Sequence, residues 1–398
     1  MKFNKGVTRI KYGGAFTGPD DFEAIKSVLD RNWWTIDEHG KKLEQELADY
    51  SGVTHVALAN SGSSALMIAY ASLGLPEGSE VITGAVHFPT TISSMYYNRF
   101  TPVFIDVDEA TLGLNPDQIE SAITDKTKAI VVVAIAGSIP NIERIIEIAK
   151  RHDLITILDN CDGFGGTYKG KLLESYFDIS ATSFHAAHIM CMGEGGAVFT
   201  NDDHYGEKSL SLREWGRLGG YDGIDDKKEL EGIPADYPAR YLFKYMGFNV
   251  KPLELQCAMG RTQLKKIHTI KKLREDNYNA LYEGLKDVPQ IKLLKQLPDS
   301  LPSWFGFPMF AKDRGGLREF LEKRQIETRT IFGGNITKQP AFRGFGRIAT
   351  ELPISDKVMF EGMFVSVHPD LTPEMIYYII ESVKEYYSEF GDINIFQS

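Results

Sequence analysis

The feature that most constrains the fold is an alternation of short apolar, β-branched segments with helical patterns through the first two-thirds of the chain. This alternation predicts βαβ units and a mostly parallel sheet. Seven segments are predicted as strands: residues 55–59, 80–83, 101–107, 129–134, 155–159, 179–183 and 197–200. Helical patterns separate them at residues 64–73, 116–122 and 142–152. One large doubly wound α/β domain follows, whose ligands should bind beyond the carboxyl ends of the strands.

The remainder of the chain predicts a second, smaller domain. A long helical pattern at residues 253–283 is typical of a helix that connects two lobes. Beyond it lie a strand-like segment at residues 305–310 and helical segments at residues 317–324 and 373–387. We therefore predict a large domain over residues 1–255 and a small C-terminal α/β domain over residues 256–398. Residues 218–237, rich in Gly and Asp, predict an exposed loop.

The composition argues against several classes of protein. With 44 Lys and Arg against 54 Asp and Glu, the net charge of −10 offers no basic surface for nucleic acid. The three cysteines, Cys161, Cys191 and Cys257, fit no CxxC pattern, so neither a disulfide framework nor a metal site is predicted. The longest apolar stretch, residues 130–136, is too short to span a bilayer. We expect a cytoplasmic protein that binds neither nucleic acid nor membrane.

Candidate binding residues follow three of the predicted strands. The segment NSGSSA places Gly62, Ser63 and Ser64 at a helix start, where backbone N–H groups can bind an anion. An ordinary serine N-cap explains this segment equally well. Asp159 ends the strand ITILD, where a carboxylate can pair with a protonated ring nitrogen or simply cap the next turn. Phe88 can stack on a planar ring or pack in the core.

The segment SFHAAHIMCMGEGG at residues 183–196 is the most informative. It places Ser183, His185 and His188 just beyond a predicted strand and before a glycine-rich turn. A histidine at such a point can transfer protons near neutral pH. Taken alone, a purely structural histidine is the more common explanation.

In this order, NSGSSA, Phe88, LDNCDGFG, SFHAAHIMCMGEGGAVFTND and GFNVKPLELQCAMGRTQL resemble the DegT-type sugar aminotransferase family over most of the chain. The resemblance implies the type I (aspartate aminotransferase-like) fold and pyridoxal phosphate as cofactor. It implies a cofactor site made of Gly62, Ser63, Ser64 and Ser183 at the phosphate, Phe88 on the ring face, Asp159 at the ring nitrogen, and Asp162 and His185 beside the ring. It also implies that Asn249 reaches the cofactor of a neighbouring subunit, and hence a homodimer with shared active sites.

One position departs from the family pattern. The family's aminotransferases carry a lysine where this chain has His188. A lysine amine bonds covalently to the aldehyde of pyridoxal phosphate, whereas an imidazole forms no stable equivalent. The cofactor, as pyridoxal or pyridoxamine phosphate, is therefore expected to be held non-covalently. Histidine at this position resembles the sugar 3-dehydratase branch, which implies removal of the 3-hydroxyl from a nucleotide-linked 4-keto-6-deoxy sugar with His188 as the catalytic base.

Within that branch the cysteines separate two designs. The design that acts on CDP-sugars needs an iron–sulfur cluster held by one cysteine near the aspartate motif and three more after an RDWG-like motif. Cys161 matches the first position, but the segment LGGYDGIDDKKELEG after REWGR contains no cysteine, and such clusters normally take four. The chain therefore resembles the metal-free design that acts on GDP-sugars and takes its amine from L-glutamate. The same resemblance implies substrate contacts from Trp33, Trp34, Thr35, Arg329 and Asn335.

Three other functions remain open. One is a dehydratase that receives electrons from a separate reductase through an iron–sulfur cluster. A second is an aminotransferase that uses another lysine, such as Lys244 or Lys251. A third is a catalytically silent protein that binds a nucleotide sugar. These motifs specify neither the nucleotide, which could be GDP, CDP or another, nor the sugar configuration.

Overall fold

A computed structural model describes residues 3–218, 232–234 and 236–390. The α-helices in these residues are α1 Pro19–Arg31, α2 Glu38–Ser51, α3 Gly62–Leu73, α4 Pro89–Tyr97, α5 Ile119–Ala122, α6 Ile142–Arg151, α7 Asp203–Arg213, α8 Glu254–Leu285, α9 Arg314–Lys323, α10 Pro353–Glu361 and α11 Pro373–Phe390. The strands are β1 His55–Ala59, β2 Glu80–Gly84, β3 Thr101–Ile105, β4 Thr127–Val133, β5 Ile155–Asp159, β6 Thr167–Tyr168, β7 Lys171–Leu172, β8 Ile179–Ser183, β9 Gly196–Thr200, β10 Ile291–Leu293, β11 Ser300–Leu301, β12 Gly306–Ala311, β13 Arg329–Thr330, β14 Arg347–Ile348 and β15 Gly362–Ser366.

The large sheet has the strand order β1-β9-β8-β5-β4-β2-β3-β14. Its pairs are parallel except for the two that β9 makes with β1 and β8. The predicted mostly parallel α/β sheet is thus confirmed, and the seven predicted strands are all present in it. The predicted count of seven was one too low, because β14 pairs with β3 at the sheet edge. A strand of two residues is too short to show any periodicity in the sequence.

Strand β4 shows why the central strands read as continuous apolar runs. Its side chains alternate between two faces, and helices cover both. Ile130 and Val132 pack in one core with Ile145 of α6. Ala129 and Val131 pack in the other with Ile68 of α3. Because both faces are buried, the strand has no polar side to alternate with its apolar one.

Residues after position 255 form a second sheet, which is antiparallel and has the order β10-β12-β15-β13. Helix α8 precedes it, confirms the predicted long helix, and at 32 residues measures about 48 Å. The division at 255/256 falls in the first turn of α8 and remains a prediction. The predicted loop at 218–237 lies largely outside the described residues. No described helix is long and apolar enough to cross a membrane.

Candidate active site

A cavity of about 650 Å³ opens at the carboxyl edge of the large sheet. Strands β1, β5 and β8 all point toward this edge, so the residues that follow them converge there. Ten of the residues singled out in the sequence line the cavity: Gly62, Ser63, Phe88, Asp159, Cys161, Asp162, Ser183, His185, His188 and Arg329. Parallel topology has therefore brought together motifs that are separated by up to hundreds of residues in the chain.

The N-terminus of α3 forms one end of the cavity. Ser61 is the N-cap, and its hydroxyl accepts a hydrogen bond from the backbone N–H of Ser64 at 3.1 Å. The preceding amides of the first turn have no acceptor within the helix, so they can bind an anion. A Cβ on Gly62 would lie 2.6 Å from the Cβ of Ser183, so the chain can pass this close only with glycine. Ser64 lies outside the lining, and its hydroxyl donates to Asn60 Oδ1 at 2.7 Å.

Asp159, at the end of β5, is only 3% exposed. Its Oδ2 accepts a hydrogen bond from the Thr91 hydroxyl at 2.7 Å, and its Oδ1 accepts one from the backbone N–H of Cys161 at 3.2 Å. Burial raises the pKa of Asp159 more than these bonds lower it. Both donors are neutral, so a protonated ring nitrogen in the cavity would supply the missing positive charge. The cavity therefore suits a planar ring that carries a basic nitrogen and an anionic group.

His188 occupies the loop after β8, and its ring orientation identifies the reactive nitrogen. Nδ1 lies 3.3 Å from the backbone carbonyl of Ser183. Because a carbonyl only accepts hydrogen bonds, this contact places the ring hydrogen on Nδ1 and leaves a lone pair on Nε2. Burial, His185 and Arg274 lower the pKa of His188 to about 3. His188 is therefore a neutral imidazole with a free basic nitrogen in the cavity.

Arg274 of α8 supports this loop, a role that no sequence motif predicts. The side chain is buried, and its guanidinium donates to the carbonyls of Ala187 at 3.2 Å and His188 at 3.4 Å. It also donates to the carbonyl of Phe305 at 2.9 Å, and the Phe305 ring contacts the His188 ring at 5.3 Å between centroids. In the sequence Arg274 lies among charged residues of a long helix, where an exposed position is the usual expectation.

Several predicted residues lie elsewhere. Asn335 is 1% exposed and caps a turn, since its amide donates to Asp356 at 2.7 Å and its oxygen accepts from the Thr337 N–H at 3.1 Å. The exposed residues Trp33, Trp34, Thr35 and Asn249 are also outside the lining. The candidate lysines Lys244 and Lys251 do not line the cavity either.

Other lining residues were missed by the sequence analysis. Tyr12 lies under the guanidinium of Arg329 at 4.0 Å from its ring centroid, and Phe332 packs edge-on against Phe88. Neither Tyr12 nor Phe332 was predicted as a site residue, because a single aromatic residue in a loop has no spacing that indicates a role. Among the described residues, no group of three His, Cys, Asp or Glu side chains is placed to hold a metal ion.

Comparison with known proteins gives a consistent result. The model of the DegT/DnrJ/EryC1/StrS aminotransferase family matches residues 17–384. The chain is 38% identical over 405 residues to dTDP-4-dehydro-2,6-dideoxy-D-glucose 3-dehydratase of Saccharopolyspora spinosa, with 96% of this chain and 88% of that protein covered.

Two solved structures of GDP-4-keto-6-deoxymannose-3-dehydratase, each 27% identical, cover 94% of this chain and are themselves covered completely. One is a histidine-to-asparagine variant with bound GDP-perosamine, with a TM-score of 0.88. The other holds a trapped adduct of pyridoxal phosphate with glutamate, with a TM-score of 0.86.

Proposed function

Because this chain belongs to the DegT/DnrJ/EryC1/StrS aminotransferase family, we propose that it is a pyridoxal-phosphate-dependent 3-dehydratase of a nucleotide-linked 4-keto-6-deoxy sugar. One observation carries the proposal. At the position where the family resemblance expects a lysine, the cavity contains the imidazole of His188, with its basic Nε2 free of the Ser183 carbonyl. An imidazole can move a proton there but cannot hold the cofactor covalently.

The residues around the cavity suit the cofactor. The first-turn amides of α3 at Gly62 and Ser63, with the hydroxyl of Ser183, would hold its phosphate. Asp159 would keep its ring nitrogen protonated, and Phe88 would cover one face of the ring. When bound in its amine form, the cofactor supplies an electron sink that allows a proton to leave carbon and the 3-hydroxyl to leave the sugar.

His188 would perform the proton transfers. Its Nε2 accepts the proton that leaves carbon and can return it to the departing hydroxyl as a general acid. The Ser183 carbonyl keeps the ring in the tautomer that this requires. With no lysine at this position, the amine form of the cofactor must be restored by a soluble donor, and L-glutamate is the donor we propose. The glutamate adduct in a solved relative supports this choice.

We also propose a homodimer with shared active sites. Asn249 is exposed and outside its own cavity, as expected of a residue that serves a neighbouring subunit. Its side chain is held in place, because Lys251 Nζ donates to Asn249 Oδ1 at 2.8 Å. Lys251 Nζ also lies 3.2 Å from Glu214 Oε2. The amine of Lys251, a candidate for the lysine of an aminotransferase, is thus engaged beside Asn249 and not in the cavity.

Supply of electrons by a reductase through an iron–sulfur cluster is the alternative that Cys161 favours, because Cys161 lines the cavity. The other two cysteines of the sequence, Cys191 and Cys257, are 2% and 0% exposed. Three cysteines fall short of the four that such a cluster usually takes. Iron analysis of the purified protein would distinguish the two designs, because the metal-free design predicts no stoichiometric iron.

The proposal is tested by mixing the protein with pyridoxal phosphate, L-glutamate and a panel of GDP-, CDP- and dTDP-linked 4-keto-6-deoxy sugars. We expect mass spectrometry to show loss of the 3-hydroxyl from one of them and no gain of an amino group. His188→Asn should abolish this product and still bind the cofactor. A product that carries a new amine would instead indicate an aminotransferase, and borohydride trapping of the cofactor on a lysine would identify its site.

A further inference from the structure

The carboxyl group of Asp162 faces the basic nitrogen of His188. Asp162 Oδ1 lies 3.7 Å from His188 Nε2, and the two side chains are 8% and 15% exposed. This separation is about 0.7 Å longer than an ordinary hydrogen bond, so a small side-chain rotation would close it. Because Nδ1 is directed at the Ser183 carbonyl, Nε2 is the nitrogen that can exchange a proton with Asp162.

A strained turn holds the other oxygen of Asp162. The backbone N–H of Ala136 donates to Asp162 Oδ2 at 3.0 Å. Ala136 has φ 53° and ψ 19°, a left-handed conformation that is unfavourable for a residue with a Cβ. Gly137 follows with φ 85°, and a Cβ on it would lie 2.0 Å from the carbonyl of Ser303. Strained backbone of this kind is concentrated at functional sites, and here it leaves Oδ1 free to face His188.

The surroundings shift the pKa values of Asp162 and His188 in opposite directions. Four titratable or charged groups act on the pair: Asp159 and Cys161 from the segment of Asp162, His185 from the loop of His188, and Arg274 from α8. Burial raises the pKa of Asp162 to about 7, and the charge of Asp159 acts in the same direction. Burial, His185 and Arg274 lower the pKa of His188 to about 3. A proton located between the two groups therefore belongs mainly to the carboxyl.

We propose that Asp162 and His188 share one proton between Oδ1 and Nε2, with Asp162 as its main holder. When the proton crosses, the Oδ1–H bond breaks and the Nε2–H bond forms, so a neutral acid and a neutral imidazole become a carboxylate and an imidazolium. No other reactant is needed. Because the proton stays mainly on Asp162, the imidazole of His188 remains neutral near neutral pH. Asp162 is thus a positioning residue that acts through His188, and this role rests on the proposed function of His188.

The test is a nuclear magnetic resonance titration of the cofactor-free full chain labelled with ¹⁵N-histidine, from pH 5 to pH 9. Comparison with His188→Gln identifies the His188 signals. We expect the Nε2 signal to move with a midpoint near pH 7, by less than half of the change that full protonation causes. Asp162→Asn should remove this step. The matched control Glu194→Gln removes the carboxylate that lies 4.0 Å from His185 Nε2, and it should leave the His188 step unchanged.

A His188 signal that does not move in this range, or one that keeps its midpoint in Asp162→Asn, would overturn the proposal. If Asp162→Asn does not fold, ¹³C-carboxyl labelling of aspartate decides the question. One aspartate should titrate with the midpoint of His188 Nε2, and His188→Gln should shift it; independent midpoints would overturn the shared proton. Both measurements use protein without cofactor. If the dehydratase assignment is wrong, these measurements can still detect the shared proton. If the shared proton is wrong, the dehydratase assignment is unaffected.

Discussion

His188 has properties that an exposed histidine lacks, because only 15% of its side chain remains exposed in the folded protein. Burial disfavours the charged form, and the nearby guanidinium of Arg274 adds to this effect, so the pKa of His188 falls to about 3. Asp159 shows the complementary case. Its hydrogen bonds come from the neutral groups of Thr91 and Cys161, and burial raises its pKa. In both cases the surroundings of the side chain shift its pKa away from the ordinary value.

At this scale we predict that the stability cost of His188 depends on pH. Between pH 6.5 and about 3 the unfolded chain binds a proton at this residue and the folded chain does not, so stability falls as the pH falls through this window. When the pH is lowered from 7 to 5, the free energy of unfolding of His188→Asn should therefore rise by about 2 kcal/mol relative to that of the wild type. Urea unfolding of both proteins at the two pH values measures this. An unchanged difference between them would mean that His188 titrates like a free histidine.

At the scale of elements, the unpaired N–H groups at the N-termini of α2 and α3 are used in two different ways. The N-terminus of α2 is closed by the buried carboxylate of Glu254, which accepts from the N–H groups of Asp37 at 2.7 Å, His39 at 2.6 Å and Gly40 at 3.2 Å. The N-terminus of α3 is capped by a serine side chain and opens into the cavity. One end is satisfied by the protein itself, and the other is available for an anionic group of a ligand.

Gly62→Ala should therefore weaken cofactor binding. The new Cβ would contact Ser183 and Cys161, and moving either side chain disturbs the phosphate end of the cavity. We expect the dissociation constant of pyridoxal phosphate to rise about tenfold or more. Gly315→Ala is a matched control, because Gly315 also lies in the first turn of a helix but has open space at its Cβ position. Absorbance titrations of both variants would measure the effect, and equal affinities would contradict it.

At the scale of the whole molecule, the cavity needs both halves of the chain. The large sheet supplies its floor, while Phe305, Arg329 and Phe332 come from residues after position 255. Arg274 of α8 links the two parts, because it donates to carbonyls on the His188 loop and on the segment of Phe305. Residues after position 255 therefore complete the cavity and support the loop that carries His188.

The proposed shared active sites predict that two inactive variants complement each other. His188→Asn lacks the base, and Asn249→Ala lacks the contact with the neighbouring subunit. A mixed dimer of the two contains one intact site, because the intact His188 and the intact Asn249 come from different chains. After mixing under exchange conditions, about a quarter of wild-type activity should appear, since about half of the dimers are mixed. Activity that stays at the level of the separate variants would argue against sharing.

Much of the architecture could be predicted because its signals are local. Strand β5 is a short, mostly apolar and β-branched segment, and helix α6 has apolar residues at helical spacing, so both were recognised without any tertiary information. Strand β14 was missed because it exists only through its pairing with β3. Asn335 was assigned to the substrate by resemblance, yet its side chain is engaged by Asp356 and Thr337. Neither the pairing of β14 nor the contacts of Asn335 can be predicted from the residues adjacent in the sequence.

The order of residues along the chain was enough to predict the alternating α/β elements, a helix that opens within the segment NSGSSA, and an imidazole at position 188. These depend on residue type and on spacing along the chain. The environment of that imidazole arises only when the chain folds: Asp162 lies at 3.7 Å, the Ser183 carbonyl at 3.3 Å, and Arg274 behind the loop. Proton affinity depends on distance and on exclusion of water, and both arise when segments remote in the chain pack together.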